Sequence, residues 1–422
     1  MSETRALVEK VQSIRFEDLL EEDLAAIRGL LLDHLGVAVR GGLTDSAIAV
    51  RRFLGDLGGP GSATLPLLGT RLQAPAIQAA LANAVACHSI EFDDVHNAAS
   101  NHPGTVIFPA ALAAASLEGA DERSFLLAVA HGYEVMCRVG RAVDPPSHYA
   151  RHFHPTATTG VFGAAATAAT LFGLDVETEV SALGIAATLA SGSLEFLSDG
   201  AWTKRLHPGV AARNGIQAAM LARAGFRGPE DGIAGPRGFL AGYSDAPHPE
   251  RLLEAWGERP LEVRNTSIKA HTCCRYKQGP IDAILEIRNA HGIEPEEVEE
   301  VTVGLLTPAL SLVWDPVEAK RRPRSVVDAQ FSMPFGAAVA LAEGKAGLDQ
   351  YEPGRLESPQ IRGLMDRVQC ATDPEIDRGY PERWSAWARV KLRDGRSLEA
   401  HVADPKGDPP NPLSPEELAA KF

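Results

Sequence analysis

Between residues 74 and 226 the chain runs through six segments whose apolar positions are filled mainly by alanine and glycine. They are "APAIQAALANAVACHS", "FPAALAAASLEG", "SFLLAVAHGYEVMCRVGRAV", "TGVFGAAATAATLFGLD", "VSALGIAATLASGSLEF" and "VAARNGIQAAMLARAGF". Apolar residues recur in them at helical spacing. Small side chains on a helix face let neighbouring helices approach closely. Residues 16–37, "FEDLLEEDLAAIRGLLLDHLGV", add another such helix, with acids crowding its first turns as the helix dipole favours. Almost no strand pattern precedes residue 260, so the spacing predicts a large all-α domain over residues 1–261.

The texture then changes. "EVEEVTVGLL" (297–306) alternates apolar and polar residues and predicts a half-buried strand. "WARVKLRDGRSLEAHVA" (387–403) predicts a hairpin turning near Asp394-Gly395. Two helical segments, 279–291 and 328–344, accompany them. Residues 262–404 are therefore expected to form a smaller α+β lid, and the Pro/Gly-rich tail 405–422 to return to the helical domain. The fold class expected is mainly α.

A net charge of −14 argues against a nucleic-acid partner and requires a local cationic pocket for any anionic ligand. Five cysteines without a CxxC pair suggest a reducing compartment and no thiolate zinc site. The charged N-terminus lacks the apolar run of a signal peptide, and no segment is long enough to span a membrane. The expected location is the cytoplasm.

The chemistry concentrates in a few motifs. "EFDDVHNAASNHPGT" (91–105) packs Glu91, Asp93, Asp94, His96 and His102 beside apparent core. His102-Pro103, His154-Pro155 and His207-Pro208 place a histidine before a proline, which favours a bend ahead of a helix start. Free N–H groups at such starts attract anions. "GAWTKRLHPG" adds Lys204 and Arg205, and "SIKAHTCCRYKQGPIDA" adds Lys269, His271, Arg275 and Lys277. Cations beside buried helices are costly unless they meet an anion. A metal site from Asp93, Asp94, His96 and His102 is disfavoured, because the spacing matches no metal motif and the nearby lysines repel a cation; no metal is expected.

These stretches together resemble the MmgE/PrpD family. The resemblance rests on "LLLDHLGVAVRGG", "HSIEFDDVHNAASNHPGTVIFPAALAAA", "GYEVMCRVGRAV", "HPTATTGVFGAAATAATLFGLD", "SDGAWTKRLHPGVAARNGIQAAMLARAGFRGP", "KAHTCCRYKQGPIDAI" and "DAQFSMPFGAAVAL", in order over about residues 25–345. It implies a helical domain, a lid, a cleft between them, a homodimer, and catalysis without a cofactor. The implied activities are dehydration of a citrate-like acid, as in 2-methylcitrate dehydratase, with cis-aconitate decarboxylation or iminodisuccinate-type epimerisation as alternatives. A non-catalytic carboxylate-binding homologue is a further alternative. By position the resemblance places His102, His154, Lys204 and Lys269 in the cleft. Glu91 stands where the family commonly has aspartate, Val95 where it often has threonine, and Cys274, Tyr276 and Gln278 near a lid histidine of decarboxylase-like members.

Such reactions make or quench a carbanion beside a carboxylate, so they need a base, cations and an acid for any leaving hydroxyl. His102 and His154 are the expected acid/base pair, and Lys204 the catalytic cation. Glu91 or Asp94 is expected to orient a histidine or act as base. Lys269, Arg275, Arg205, His207 and Tyr276 are expected to bind a small di- or tricarboxylate.

Overall fold

The computed structural model describes residues 2–57 and 63–421. The fold is mainly α. Its first part is built from α1 (Glu3–Ser13), α2 (Glu21–Gly41), α3 (Asp45–Leu57), α4 (Ala76–His88), α5 (Gly104–Glu118), α6 (Glu122–Ala142), α7 (Pro145–Ala150), α8 (Pro155–Leu171), α9 (Val176–Leu189) and α10 (Thr203–Arg223). α8 lies at the centre, packed against α5, α6, α9 and α10. Its side chains are buried on nearly every side, as expected of a helix without a polar face.

The small residues set these distances. A Cβ added at Gly215 of α10 would come 2.5 Å from the Ala164 Cβ and 2.6 Å from the Val161 carbonyl of α8. One at Gly163 of α8 would come 2.6 Å from the Met136 Cβ of α6. Neither contact is tolerable without moving a helix in so densely packed an interior. Phe108, Tyr133, Met136 and Phe162 fill the spaces between the close crossings.

A second core lies under a four-stranded sheet. Before it come the short pairs β1 (Thr64–Pro66) with β2 (Gln73–Pro75), and β3 (Val95–His96) with β4 (Thr266–Ser267). The sheet contains β5 (Val298–Leu305), β6 (Val368–Thr372), β7 (Ala386–Leu392) and β8 (Ser397–Val402), in the order β6-β5-β7-β8. β6 runs parallel to β5, whereas β7 is antiparallel to both β5 and β8. Gly395, at φ +91°, makes the predicted β7–β8 turn. The helices Gln278–His291 and Met333–Glu343 pack against each other in this core. β6 has no counterpart in the sequence reading, because its five residues are mostly half-exposed and show no clean alternation.

Several links tie this second part to the first. β4 pairs with β3 inside the acidic segment, Val95 opposite Ser267. Asp408 accepts from Arg275 and from Asn97. Lys421, just beyond the helix Pro415–Ala420, bonds Asp33 of α2 at 2.5 Å and the Phe92 carbonyl at 2.8 Å.

Candidate active site

Residues 89–103 leave α4 and enter α5 by a path that needs two left-handed turns in non-glycine residues, Glu91 at φ 55° and Ser100 at φ 51°. Such strain persists where the surroundings fix the backbone, and it clusters at functional sites. Here the fixing contacts are visible. The Lys269 ammonium donates to the Glu91 carbonyl at 3.2 Å, Lys421 holds the next carbonyl, and Gln330 donates to that of Ile90 at 3.0 Å.

Below this turn is a buried charge cluster. Lys204, in the first turn of α10, donates to Glu91 Oε1. Lys269 lies 3.6 Å from both Glu91 Oε2 and Asp93 Oδ1. Burial works to raise the Glu91 pKa, but the Lys204 and Lys269 ammoniums outweigh it and hold the carboxyl at about 2. Asp93 is likewise held well below the carboxylate range, because His88 and Lys269 outweigh its burial. Burial would neutralise Lys269, but Asp93 and Glu91 keep it charged.

Asp93 is the hub. His88 Nδ1 is 2.7 Å and His102 Nδ1 3.3 Å from its Oδ2. His102 Nδ1 also lies 2.7 Å from the Asp94 carbonyl, which can only accept. The proton is therefore on Nδ1, and Nε2 is the basic nitrogen. His154 Nδ1 lies 3.1 Å from His207 Nδ1, so one of these rings donates and the other accepts. Burial depresses His102, His154 and His207, the last to about 3, so all three are neutral imidazoles at neutral pH.

The cleft above encloses about 500 Å³. Glu91, His102, His154, Lys204, Arg275 and Tyr276 all line it, as do Val95 and Cys274. Four expected residues do not: Asp94, Arg205, His207 and Lys269, the last fully buried between Glu91 and Asp93. Asp94 turns away to cap α5, both its oxygens 3.0 Å from the Gly104 N–H and one 2.8 Å from the Tyr133 hydroxyl. It is Asp93, one position earlier, that faces the histidines. Arg205 leaves on the other side of α10 and donates to Ser46 at 3.1 Å. His207 backs His154 from behind, and His207-Pro208 sits inside α10 rather than ahead of it. His102 and His154 do stand at helix starts, of α5 and α8.

The metal set that the sequence disfavoured is dispersed, since His96 bonds Glu262 at 2.8 Å and Asp94 caps α5. His88, Asp93 and His102 do bring one ligand atom each within 4.8 Å of one another. The Lys269 ammonium already occupies the cation's place beside Asp93. His88 carries no sequence signal beyond its place five residues before Asp93. Phe196, Phe331 and Trp384, which wall the cleft, come from three distant segments.

The chain matches the MmgE/PrpD N-terminal domain over residues 5–252 and the MmgE/PrpD C-terminal domain over residues 271–422. It belongs to the MmgE/PrpD family. It is 28% identical to a cis-aconitate decarboxylase-like protein of Aspergillus oryzae, over 99% of this chain and 89% of that one. It is 27% identical to the cis-aconitate decarboxylase of Aspergillus terreus, over 82% and 74%, and 25% identical to that of Mus musculus, over 100% and 86%. Both family segments reach the cleft. The N-terminal one brings Glu91, His102, His154 and Lys204, and the C-terminal one brings Cys274, Arg275, Tyr276 and Trp384. Among the described residues no helix is long and apolar enough to cross a membrane.

Proposed function

We propose that this protein is a cofactor-independent lyase that makes a carbanion beside a carboxylate of a small organic acid. The observation that carries the reading is the setting of His102, a neutral imidazole in the cleft with Nδ1–H committed to Asp94 and Asp93 and Nε2 left as base. In dehydration, His102 Nε2 takes a proton from the carbon beside the carboxylate. The freed electron pair forms the double bond as the hydroxyl departs. The departing hydroxyl takes up the proton that His102 Nε2 removed from carbon and leaves as water, with the neutral His154 ring, backed by His207, placed to hydrogen-bond it. Lys204 and Lys269 spread the developing negative charge.

Decarboxylation is the second reading, favoured by the cis-aconitate decarboxylases aligned with almost the whole chain. There the electrons left by carbon dioxide are quenched by a proton from an imidazole. A homodimer belongs to the same proposal, and light scattering of the purified protein reads it.

The test is incubation of the purified chain in deuterated water with 2-methylcitrate, citrate, cis-aconitate, itaconate and 3-hydroxy acids bearing apolar arms, followed by NMR and carbon dioxide release. Loss of water without carbon dioxide identifies the hydro-lyase. Carbon dioxide with deuterium left at carbon identifies the carboxy-lyase. No turnover and no exchange with any acid overturns the proposal.

A further inference from the structure

The cationic groups at the cleft do not stand ready for a highly charged ligand. Lys204 is bonded to Glu91, Lys269 sits between Glu91 and Asp93, and Arg275 is bonded by Nη2 to both oxygens of Asp408 at 2.6 and 2.7 Å. Three cations thus face three carboxylates of the protein itself, all of them buried. The α5 N-terminus, which could have held an anion, is filled by Asp94. A ligand with three carboxylates would bring three charges into a buried site whose own charges already balance, and an uncompensated buried charge is heavily penalised.

Much of the remaining wall is apolar, with Ser100, Tyr149 and Tyr276 as its polar members beside the histidines. Leu194, Phe196, Leu197, Leu312, Phe331 and Trp384 line the cleft together with the charged groups. Two of these rings also face the cations, Phe331 at 4.8 Å from Lys204 Nζ and Trp384 at 5.3 Å from the Arg275 guanidinium carbon. A single carboxylate can be met at this seam. The Lys204 ammonium has three N–H donors, and Arg275 uses Nε and Nη2 on Asn97 and Asp408, leaving Nη1 outside those bonds. Beyond the seam no further cation lines the cleft among the described residues, and an apolar group matches the Leu194, Phe196, Leu197, Leu312, Phe331 and Trp384 side of it.

We infer that the substrate of this cleft carries one carboxylate at its reacting end and an apolar arm against the Phe196–Phe331–Trp384 wall, in place of the distal carboxylates of a citrate-like acid. The inference rests on the lyase reading for the reacting end, while the arm is argued from the wall and the charge balance alone.

Calorimetric titration of the full chain with three matched acids tests it: 2-benzylacrylate, itaconate and cis-aconitate, with one, two and three carboxylates. The expected order is 2-benzylacrylate tightest, at least about tenfold over cis-aconitate, a gap that corresponds to ~1.4 kcal/mol. Equal or tighter binding of cis-aconitate overturns the inference. Glu91→Gln frees Lys204 from its internal partner and should move the preference toward cis-aconitate by about tenfold. An unchanged preference in folded Glu91→Gln also counts against it. If Glu91→Gln does not fold, the wild-type titration decides alone. Turnover is scored separately. Tight 2-benzylacrylate binding without turnover of any acid would sink the lyase reading and leave the ligand class standing. Turnover with tighter cis-aconitate binding would do the reverse.

Discussion

Asp93 and Asp94 are consecutive, almost fully buried, and serve opposite ends. Asp93 has Lys269, His88 and His102 around it and is held ionised. Asp94 has no cation in contact. Its burial, despite the Tyr133 and Gly104 hydrogen bonds and helped by the charges of Asp93 and Asp33, raises its pKa to about 8. The chain bends at Asp93, and one carboxyl enters the cleft machinery while the other enters the helix bundle. The same depth of burial yields a charge in one case and a proton in the other. What differs is whether a cation arrives from another part of the chain.

The most damaging way to break this contrast is to remove the charge where it is used. Asp93→Asn leaves Lys269 with Glu91 as its one carboxylate partner and puts a neutral amide where a carboxylate faced two histidines. Stripping one partner from a buried ionic cluster should cost about 3 kcal/mol or more, read by urea unfolding at pH 7. Turnover should fall by about 10²-fold or more, since His102 and His88 lose the negative charge beside them. Stability and activity both near wild type would remove Asp93 from the centre of the site. His102→Gln should keep the fold, because an amide can still bond the Asp94 carbonyl. It should lower kcat by about 10²–10⁴-fold with little change in urea midpoint. A loss under about tenfold would shift the base to His154.

How much of this contrast could be read in advance follows from where the deciding atoms come from. The helical part was legible because its evidence is local: small residues at helical spacing have one good use. Glu91, His102, His154, Lys204 and Lys269 stood out as charged or titratable groups beside apolar sequence, and all of them lie at the cluster. That Asp93 rather than Asp94 faces the histidines was not legible. It depends on Glu91 turning to φ 55°, on Lys269 arriving from 176 positions later, and on Tyr133 meeting Asp94 from α6. The apolar wall was hidden for the same reason. Phe196, Phe331 and Trp384 each look like ordinary core residues until the two parts of the chain face each other.

A gentler change tests the proton on the other member of the pair. Asp94 binds a proton in the folded protein with a pKa of about 8, against about 3.9 in an unfolded chain. The folded state therefore holds an extra proton between those values. This contribution to stability is complete below about pH 4 and is lost as the pH rises toward 8, at up to about 1.4 kcal/mol per pH unit. Asp94→Asn mimics the protonated form and should abolish that slope, so its stability relative to wild type rises between pH 5 and 8. Asp93 runs the other way, because its depressed pKa adds stability above pH 4 that is lost only as the pH falls further. Urea unfolding from pH 5 to 8 separates the two. Parallel wild-type and Asp94→Asn curves would show that Asp94 is ionised throughout.

The smallest expected effect comes from Tyr133→Phe. The Tyr133 hydroxyl donates to Asp94 Oδ2 at 2.8 Å and touches nothing of Asp93. Losing it should cost about 1 kcal/mol. Because that bond favours the ionised carboxyl, its loss should also move the upper end of the pH-dependent fall above 8. Turnover should stay within about threefold of wild type, since groups without shared partners act nearly independently. The one route by which Tyr133 could reach the chemistry is the Asp94 backbone, whose carbonyl holds His102 Nδ1. A tenfold or greater fall in kcat would mean that the cap on α5 sets the aim of the base, and that the two carboxyls work as one unit rather than as neighbours with separate tasks.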